Sequence, residues 1–215
     1  MSISRRQALL SIATVTAVVL SGSGLYTHAY IVQTRLGYDD TPMQPNGRWR
    51  IHDGSRPQPK VVTPAPENGS GGAAAPDDAV LLVGRGNDLS AWQMTDGSPA
   101  MWTMRDGVLQ TGKGVLRTKA VFSDFQLHVE FATPAEVKGE GQDRGNSGVF
   151  LLGEFEIQVL DSYRNRTYPD GQAAAMYGQH PPLVNASRSP GEWQSYDIVF
   201  TAPRFTHDGK LEKSA

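Results

Sequence analysis

In GNSGVFLLGEFEIQVLDSY, residues 145–163, the second half alternates without a break. Phe155, Ile157 and Val159 fall on one parity, and Glu154, Glu156 and Gln158 on the other. A period of two in a run of β-branched and aromatic residues predicts a half-buried strand. Its apolar parity presses into a core. Its polar parity holds two carboxylates and an amide in one row, since alternate residues lie about 6.6 Å apart at Cα. A solvated sheet face would read the same way, but like charges on neighbouring positions repel, and that cost marks the row as a candidate site. Asp161 follows where the strand runs out into a loop. Upstream, Asn146, Ser147 and Gly148 are small enough for the close approach of a ligand or another backbone.

Short strands at close spacing surround this one. Residues 80–83 form an apolar run ended by Gly84, and residues 114–118 read as another brief strand. In residues 101–110, Asp106-Gly107 stands between two short runs, a strong hairpin signal. Phe125, Leu127, Val129 and Phe131 alternate with Gln126, His128 and Glu130, and residues 193–200 repeat the pattern with Tyr196, Ile198 and Phe200. Long amphipathic helical stretches are absent. Many short strands with Gly and Pro turns predict an all-β sandwich or barrel. Were the 125–131 and 154–158 strands neighbours, one sheet face would collect His128, Glu130 and the two glutamates. The loop through Tyr168, Asp170, Tyr177, His180 and Asn185 is long, and long loops in compact domains are functional or disordered. Its Tyr, His and Gln residues and paired prolines argue against disorder. Such a loop makes a wall or lid for a sugar-sized cleft.

The amino terminus has a different character. Arg5 and Arg6 precede an apolar run from Ala8 to Leu20, 13 residues, followed by small residues. This pattern predicts a signal peptide over residues 1–29, with paired arginines pointing to the twin-arginine route and a periplasmic or secreted product. The alternative is an uncleaved anchor, although the run is short for a bilayer span. Losing Arg5 and Arg6 with no acid takes the formal net charge from −2 to −4, the wrong sign for a nucleic-acid binder. The chain has no cysteine, which excludes disulfides and thiolate zinc sites. Residues 30–78 are a Pro/Gly-rich leader and linker. Within them Trp49 and His52 either dock on the following domain or mark a short ordered arm, and neither is assigned chemistry.

The motifs together carry a resemblance. Asn146 to Phe150 (NSGVF), residues 154–163 (EFEIQVLDSY), residues 168–171 (YPDG), 177–179 (YGQ), 181–187 (PPLVNAS) and 191–197 (GEWQSYD) closely resemble the DUF1080 family, also called the 3-keto-disaccharide hydrolase domain. The resemblance covers residues 79–207 and places the domain at 79–215. It implies a concanavalin-A-like jelly-roll β-sandwich of two antiparallel sheets with a carbohydrate cleft on the concave face. Members of the family continue past the turn at Asp208-Gly209 into further strands, so the resemblance also implies a domain truncated at its C-terminal end.

The family's name implies a reaction on an oxidised sugar, an oligosaccharide or glycoside carrying a ketone at C3. That ketone acidifies the C2 hydrogen, so a base can remove it and the group on C1 leaves by elimination, with water adding afterwards. Such a site needs a general base near C2, a donor or cation near the C3 oxygen and an acid for the leaving group. Glu156 is the first candidate base, with Glu154 as its partner or a metal ligand. Arg144 and His180 are candidates for oxyanion stabilisation or acid duty, and Asn146, Gln158 and Tyr177 for contacts to hydroxyls. A divalent cation such as calcium, held by Glu154, Glu156 and Asp161, would serve as electrophile equally well. A sugar 3-oxidoreductase is the implied functional partner. A conventional glycosidase using Glu154 and Glu156 and a non-catalytic carbohydrate-binding module remain open alternatives.

Overall fold

The computed structural model describes residues 36–45, 47–64, 75–83 and 88–215; the expected export signal lies outside them. Among the described residues there is no α-helix. The strands are β1 (Lys60–Val61), β2 (Trp92–Met94), β3 (Thr103–Arg105), β4 (Val108–Gln110), β5 (Leu116–Thr118) and β6 (Phe125–Ala132). They continue as β7 (Ser147–Leu151), β8 (Phe155–Val159), β9 (Val184–Asn185), β10 (Trp193–Phe200), β11 (Arg204–Phe205) and β12 (Leu211–Lys213). Five ladders are antiparallel, β2–β5, β3–β4, β6–β10, β7–β8 and β11–β12, while β1 and β9 pair in parallel. This is the all-β architecture that the strand pattern predicts, and it is consistent with the jelly-roll sandwich that the family resemblance implies.

The elements form where the sequence places them, with two exceptions. Asp106 and Gly107 link β3 to β4 with φ of 51° and 77°, the doubly left-handed geometry of a tight hairpin turn. The alternating runs become the longest strands, β6 and β10, which pair over their full eight residues from Trp193 opposite Ala132 to Phe200 opposite Phe125. The first exception is the apolar run 80–83, which joins no ladder. There Leu82 instead accepts a hydrogen bond from the Trp92 indole N–H at 2.6 Å, and Val80 and Leu81 stay exposed. The second is Glu154. Leu152 and Gly153 take φ of 53° and 74°, so β7 turns into β8 through residues 152–154, and Glu154 sits in that turn, exposed.

The apolar parity of β8 behaves as predicted. Leu151, Phe200 and Ala202 are buried together, with Phe125, Val149, Phe155, Ile157 and Ile198 packed against them. The Phe125 and Phe155 rings meet Phe200 at centroid distances of 5.2 and 6.1 Å. Side chains of this type each contribute roughly 1.5–3 kcal/mol when fully buried, so this cluster fixes how the β7–β8 hairpin sits against β6–β10. Tyr196, on the same parity of β10, donates from its hydroxyl to the Gln158 carbonyl at 2.8 Å. His128 and Glu130 belong to the opposite parity, where His128 meets Asp197 at 2.7 Å. The face expected to join them to the glutamates is therefore split in two.

A second buried zone is polar. Residues 160–175 fold over β8, and Gln158, Leu160, Ser162, Pro169 and Asp170 are the most deeply enclosed side chains. Residues 174–177 run along the free edge of β8. Gln158 N–H donates to Ala175 O, Ala174 N–H to Gln158 O and Tyr177 N–H to Glu156 O, each at 2.9 Å. Residues 36–64 strap across this loop. Gln44 donates to the carbonyls of Gly178 and Gln179 at 2.9 and 2.8 Å, Gln58 donates to Thr167 O at 3.0 Å, and β1 closes the strap on β9. The described part of the Pro/Gly-rich leader up to residue 64 is thus docked on the domain.

Candidate active site

Glu156 projects from the middle of β8 toward β7. There the neighbouring position is Gly148, opposite Gln158 in the register. A Cβ at Gly148 would stand 2.3 Å from Glu156 Oε1 and 2.9 Å from its Cδ, so the carboxylate occupies the space that a side chain would take. The glycine noted in the sequence for close approach receives this side chain. Tyr177 lies beside it: burial, more than any other cause, pushes the Tyr177 hydroxyl above the ordinary phenol range, and the nearby Glu156 charge adds to the rise.

Tyr177 opens an aromatic cluster. Its hydroxyl meets that of Tyr168 at 2.7 Å. Tyr168 is itself buried, which raises its pKa strongly, and the neighbouring Tyr177 raises it further. The His52 ring from the strap packs against both, with centroid distances of 4.2 Å to Tyr168 and 4.7 Å to Tyr177. Tyr38, also from the strap, closes the group at 6.0 Å from Tyr168. Behind His52 stands Asp170, fully buried. It accepts the His52 backbone N–H at 3.0 Å, and its other oxygen lies 3.4 Å from His52 Nδ1. Arg56 Nη1 donates to the same carboxylate at 3.3 Å and to Gln179 O at 3.2 Å. Tyr38, His52, Tyr168 and Tyr177 thus form one connected group of rings, with the Glu156 charge close enough to be felt at Tyr177.

Other residues singled out from sequence have different surroundings. Gln158 does not stand on a solvated face. It is completely buried, donating to Gln142 Oε1 at 2.9 Å and to Gly171 O at 3.4 Å, because the 160–175 loop covers that side of β8. Asp161 does not join the glutamates. It is buried against Arg144, which donates to its Oδ2 from both Nε, at 2.9 Å, and Nη2. Asp161 Oδ1 takes the Tyr163 N–H at 3.1 Å. Arg144 also donates to Tyr163 O at 3.2 Å, which makes the pair a clasp on the start of the loop. Asn146 is exposed and donates to Gln142 O at 2.8 Å. His180 is exposed too, its backbone N–H held by Met176 O at 2.9 Å.

The three oxygen donors proposed for a divalent cation therefore do not gather. Glu154 is in the hairpin turn, and Asp161 is committed to Arg144. Among the described residues no group of three or more His, Cys, Asp or Glu side chains is arranged to hold a metal ion. What sequence reading missed is the contribution of the strap. Its one local signal was His52-Asp53-Gly54, a polar turn sequence within a segment without periodicity.

Comparison with known proteins agrees with this architecture. A chain of known structure from Parabacteroides distasonis ATCC 8503, provisionally named a glycosyl hydrolase, is 49% identical. The match covers 73% of this chain and 67% of that one, with a TM-score of 0.64. No curated protein matches. Residues 78–212 match the family model of the 3-keto-alpha-glucoside-1,2-lyase-like domain, and the chain belongs to that family.

Proposed function

We propose that this protein is a carbohydrate-active hydrolase that cleaves 3-keto-glycosides by elimination followed by hydration. The observation that carries the reading is the seat of Glu156: a half-buried, mid-strand carboxylate, fixed over Gly148 beside Tyr177. The family's description as a 1,2-lyase-like domain names an elimination across C1 and C2, and the solved relative's name supports action on glycosides. Glu156 takes the C2 proton, and the electron pair is delocalised into the C3 ketone. The protonated phenol of Tyr177, which lies within reach of the Glu156 charge and is backed by the Tyr168 hydroxyl, stabilises the developing enolate oxygen. Asn146 and His180, exposed at the rim, contact hydroxyls. The protein acts after export, on sugars oxidised at C3 by a separate oxidoreductase.

The test is incubation of the chain with a 3-keto-disaccharide of the trehalose type and with its unoxidised parent, each with and without chelator. Release of monosaccharide from the keto sugar alone supports the proposal. Cleavage of the unoxidised sugar would show a conventional glycosidase instead, and tight binding of either sugar without turnover a binding module. Activity abolished by chelator would return a cation to the site.

A further inference from the structure

We infer that the amino-terminal strap is part of the catalytic site, and that His52, held by Asp170, is the acid that protonates the departing glycosidic oxygen. The inference deepens the function proposed above and rests on it. A site that removes the C2 proton with Glu156 still needs a group to protonate the leaving oxygen, and His180, the histidine expected for this from sequence, is exposed on the loop. His52 has the features that His180 lacks.

Among the described residues, the polar partner of the His52 ring stands on its Nδ1 side. Asp170 Oδ1 lies 3.4 Å from Nδ1, and Asp170 Oδ2 accepts the backbone N–H of the same residue. One buried carboxylate thus fixes both the ring and the chain that carries it. Asp170 is fully buried, with Arg56 and His52 on either side of it, and the His52 side chain, 14% exposed, is the more open of the two flanking groups. A buried carboxylate behind an imidazole sets its tautomer and its orientation. The charged and titratable groups around His52 are Asp170 and Arg56 behind it, Tyr38 beside it in the strap, and Tyr168 and Tyr177 across from it, with Glu156 beyond Tyr177.

The backbone agrees. His52 has φ of 58°, the left-handed region that costs a non-glycine residue free energy and clusters at functional sites. The cost is met by Tyr38 N–H, which donates to His52 O at 2.9 Å, and by the Asp170 contact.

The step balances as follows. Glu156 removes the C2 proton, the C2 electron pair forms the C1–C2 double bond conjugated with the C3 ketone, and the C1–O bond breaks. The departing oxygen takes the Nε2 proton of His52, leaving the imidazole neutral. Water then adds its oxygen to C1 and gives a proton to His52, while Glu156 returns its proton to C2. Both residues end as they began, and the net reaction is hydrolysis.

The test compares the full chain with its His52→Gln, Asp170→Asn and Glu156→Gln variants on two substrates. One is a 3-keto-disaccharide, whose alkoxide leaving group needs a proton. The other is the 4-nitrophenyl 3-keto-glucoside, whose phenolate does not. His52→Gln should lose about 10²–10⁴-fold in kcat on the disaccharide and only a few-fold on the nitrophenyl substrate. Glu156→Gln should lose similarly on both. Asp170, as a positioning residue, should follow the His52 pattern in milder form, with kcat lowered on the disaccharide and KM unchanged. Equal losses on both substrates for His52→Gln, or no loss, overturn the role of His52 while leaving the function standing. Absence of wild-type turnover on either keto substrate overturns the function and the inference together.

Discussion

Adding one methyl group at Gly148 should disable the site without harming the fold. In Gly148→Ala the new Cβ would lie 2.3 Å from Glu156 Oε1 and 2.9 Å from Cγ and Cδ, separations that real Cβ atoms do not tolerate. Each clashing atom belongs to the flexible end of a side chain, so the carboxylate rotates away while the backbone of β7 stays in place. Alanine inside a strand is favoured over glycine by roughly 0.5–1 kcal/mol, so the melting temperature should hold or rise slightly. Activity should not hold. A general base contributes about 10²–10⁴-fold, equivalent to about 2.7–5.5 kcal/mol of transition-state stabilisation, and a displaced carboxylate forfeits most of it. The assay is kcat/KM on a 3-keto-disaccharide for Gly148→Ala, Glu156→Gln and the double variant. Because both changes remove one contribution, the double variant should be little worse than either single one. Losses that multiply would show that Gly148 acts through something other than Glu156, and full activity in Gly148→Ala would refute the seat altogether.

Arg144→Ala leaves the buried Asp161 carboxylate unpaired and should cost about 3–5 kcal/mol in denaturant titration; loss of activity at unchanged stability would make Arg144 a substrate contact instead. Phe155→Ala removes a ring packed on Phe200 and should destabilise the domain by about 3 kcal/mol, an effect that would vanish in the melt if the parity of β8 were reversed. The His128 pKa is raised, first by its hydrogen bond to Asp197 and then by the Asp197 and Glu130 charges. The stabilisation it brings is therefore fully present below its unfolded value of about 6.5 and is lost as pH rises through the higher folded one. His128→Gln should thus lower the melting temperature slightly at pH 5 and leave it unchanged at pH 9; the opposite trend would show that His128 is not charged in the fold. Replacing Arg5 and Arg6 by Lys should leave precursor in the cytoplasm on fractionation, and normal periplasmic delivery would point to the general secretory route.

The strands were legible because a half-buried strand writes its two environments into alternate residues. Phe125 to Phe131, Tyr196 to Phe200 and Phe155 to Val159 each named their core side correctly. What covers the other side is not written there. Gln158 shares the parity of Glu156, yet its burial depends on the course of residues 160–175, a path set by pins such as Arg144 to Asp161 and Asn165 to Asp161 O at 2.7 Å. Glu154 looked like a strand residue because strict alternation does not reveal that Leu152 and Gly153 both turn left-handed. His52 was out of reach for a further reason. Its partner Asp170 is 118 residues away, and a segment without periodicity carries no trace of what it will touch.

That separation has a kinetic side. The hydrogen bonds that hold the strap span 109 to 135 residues, so a loop of more than a hundred residues must close before any of them can form. Contacts between distant residues give no return until a large loop has closed, whereas the β7–β8 and β3–β4 hairpins close locally. Strap docking therefore belongs after the transition state for folding, where interactions govern how fast the native state is lost rather than how fast it is reached. Weakening Gln44 or Gln58 would leave the refolding rate alone and shorten the lifetime of the folded protein, a property that sets resistance to irreversible inactivation.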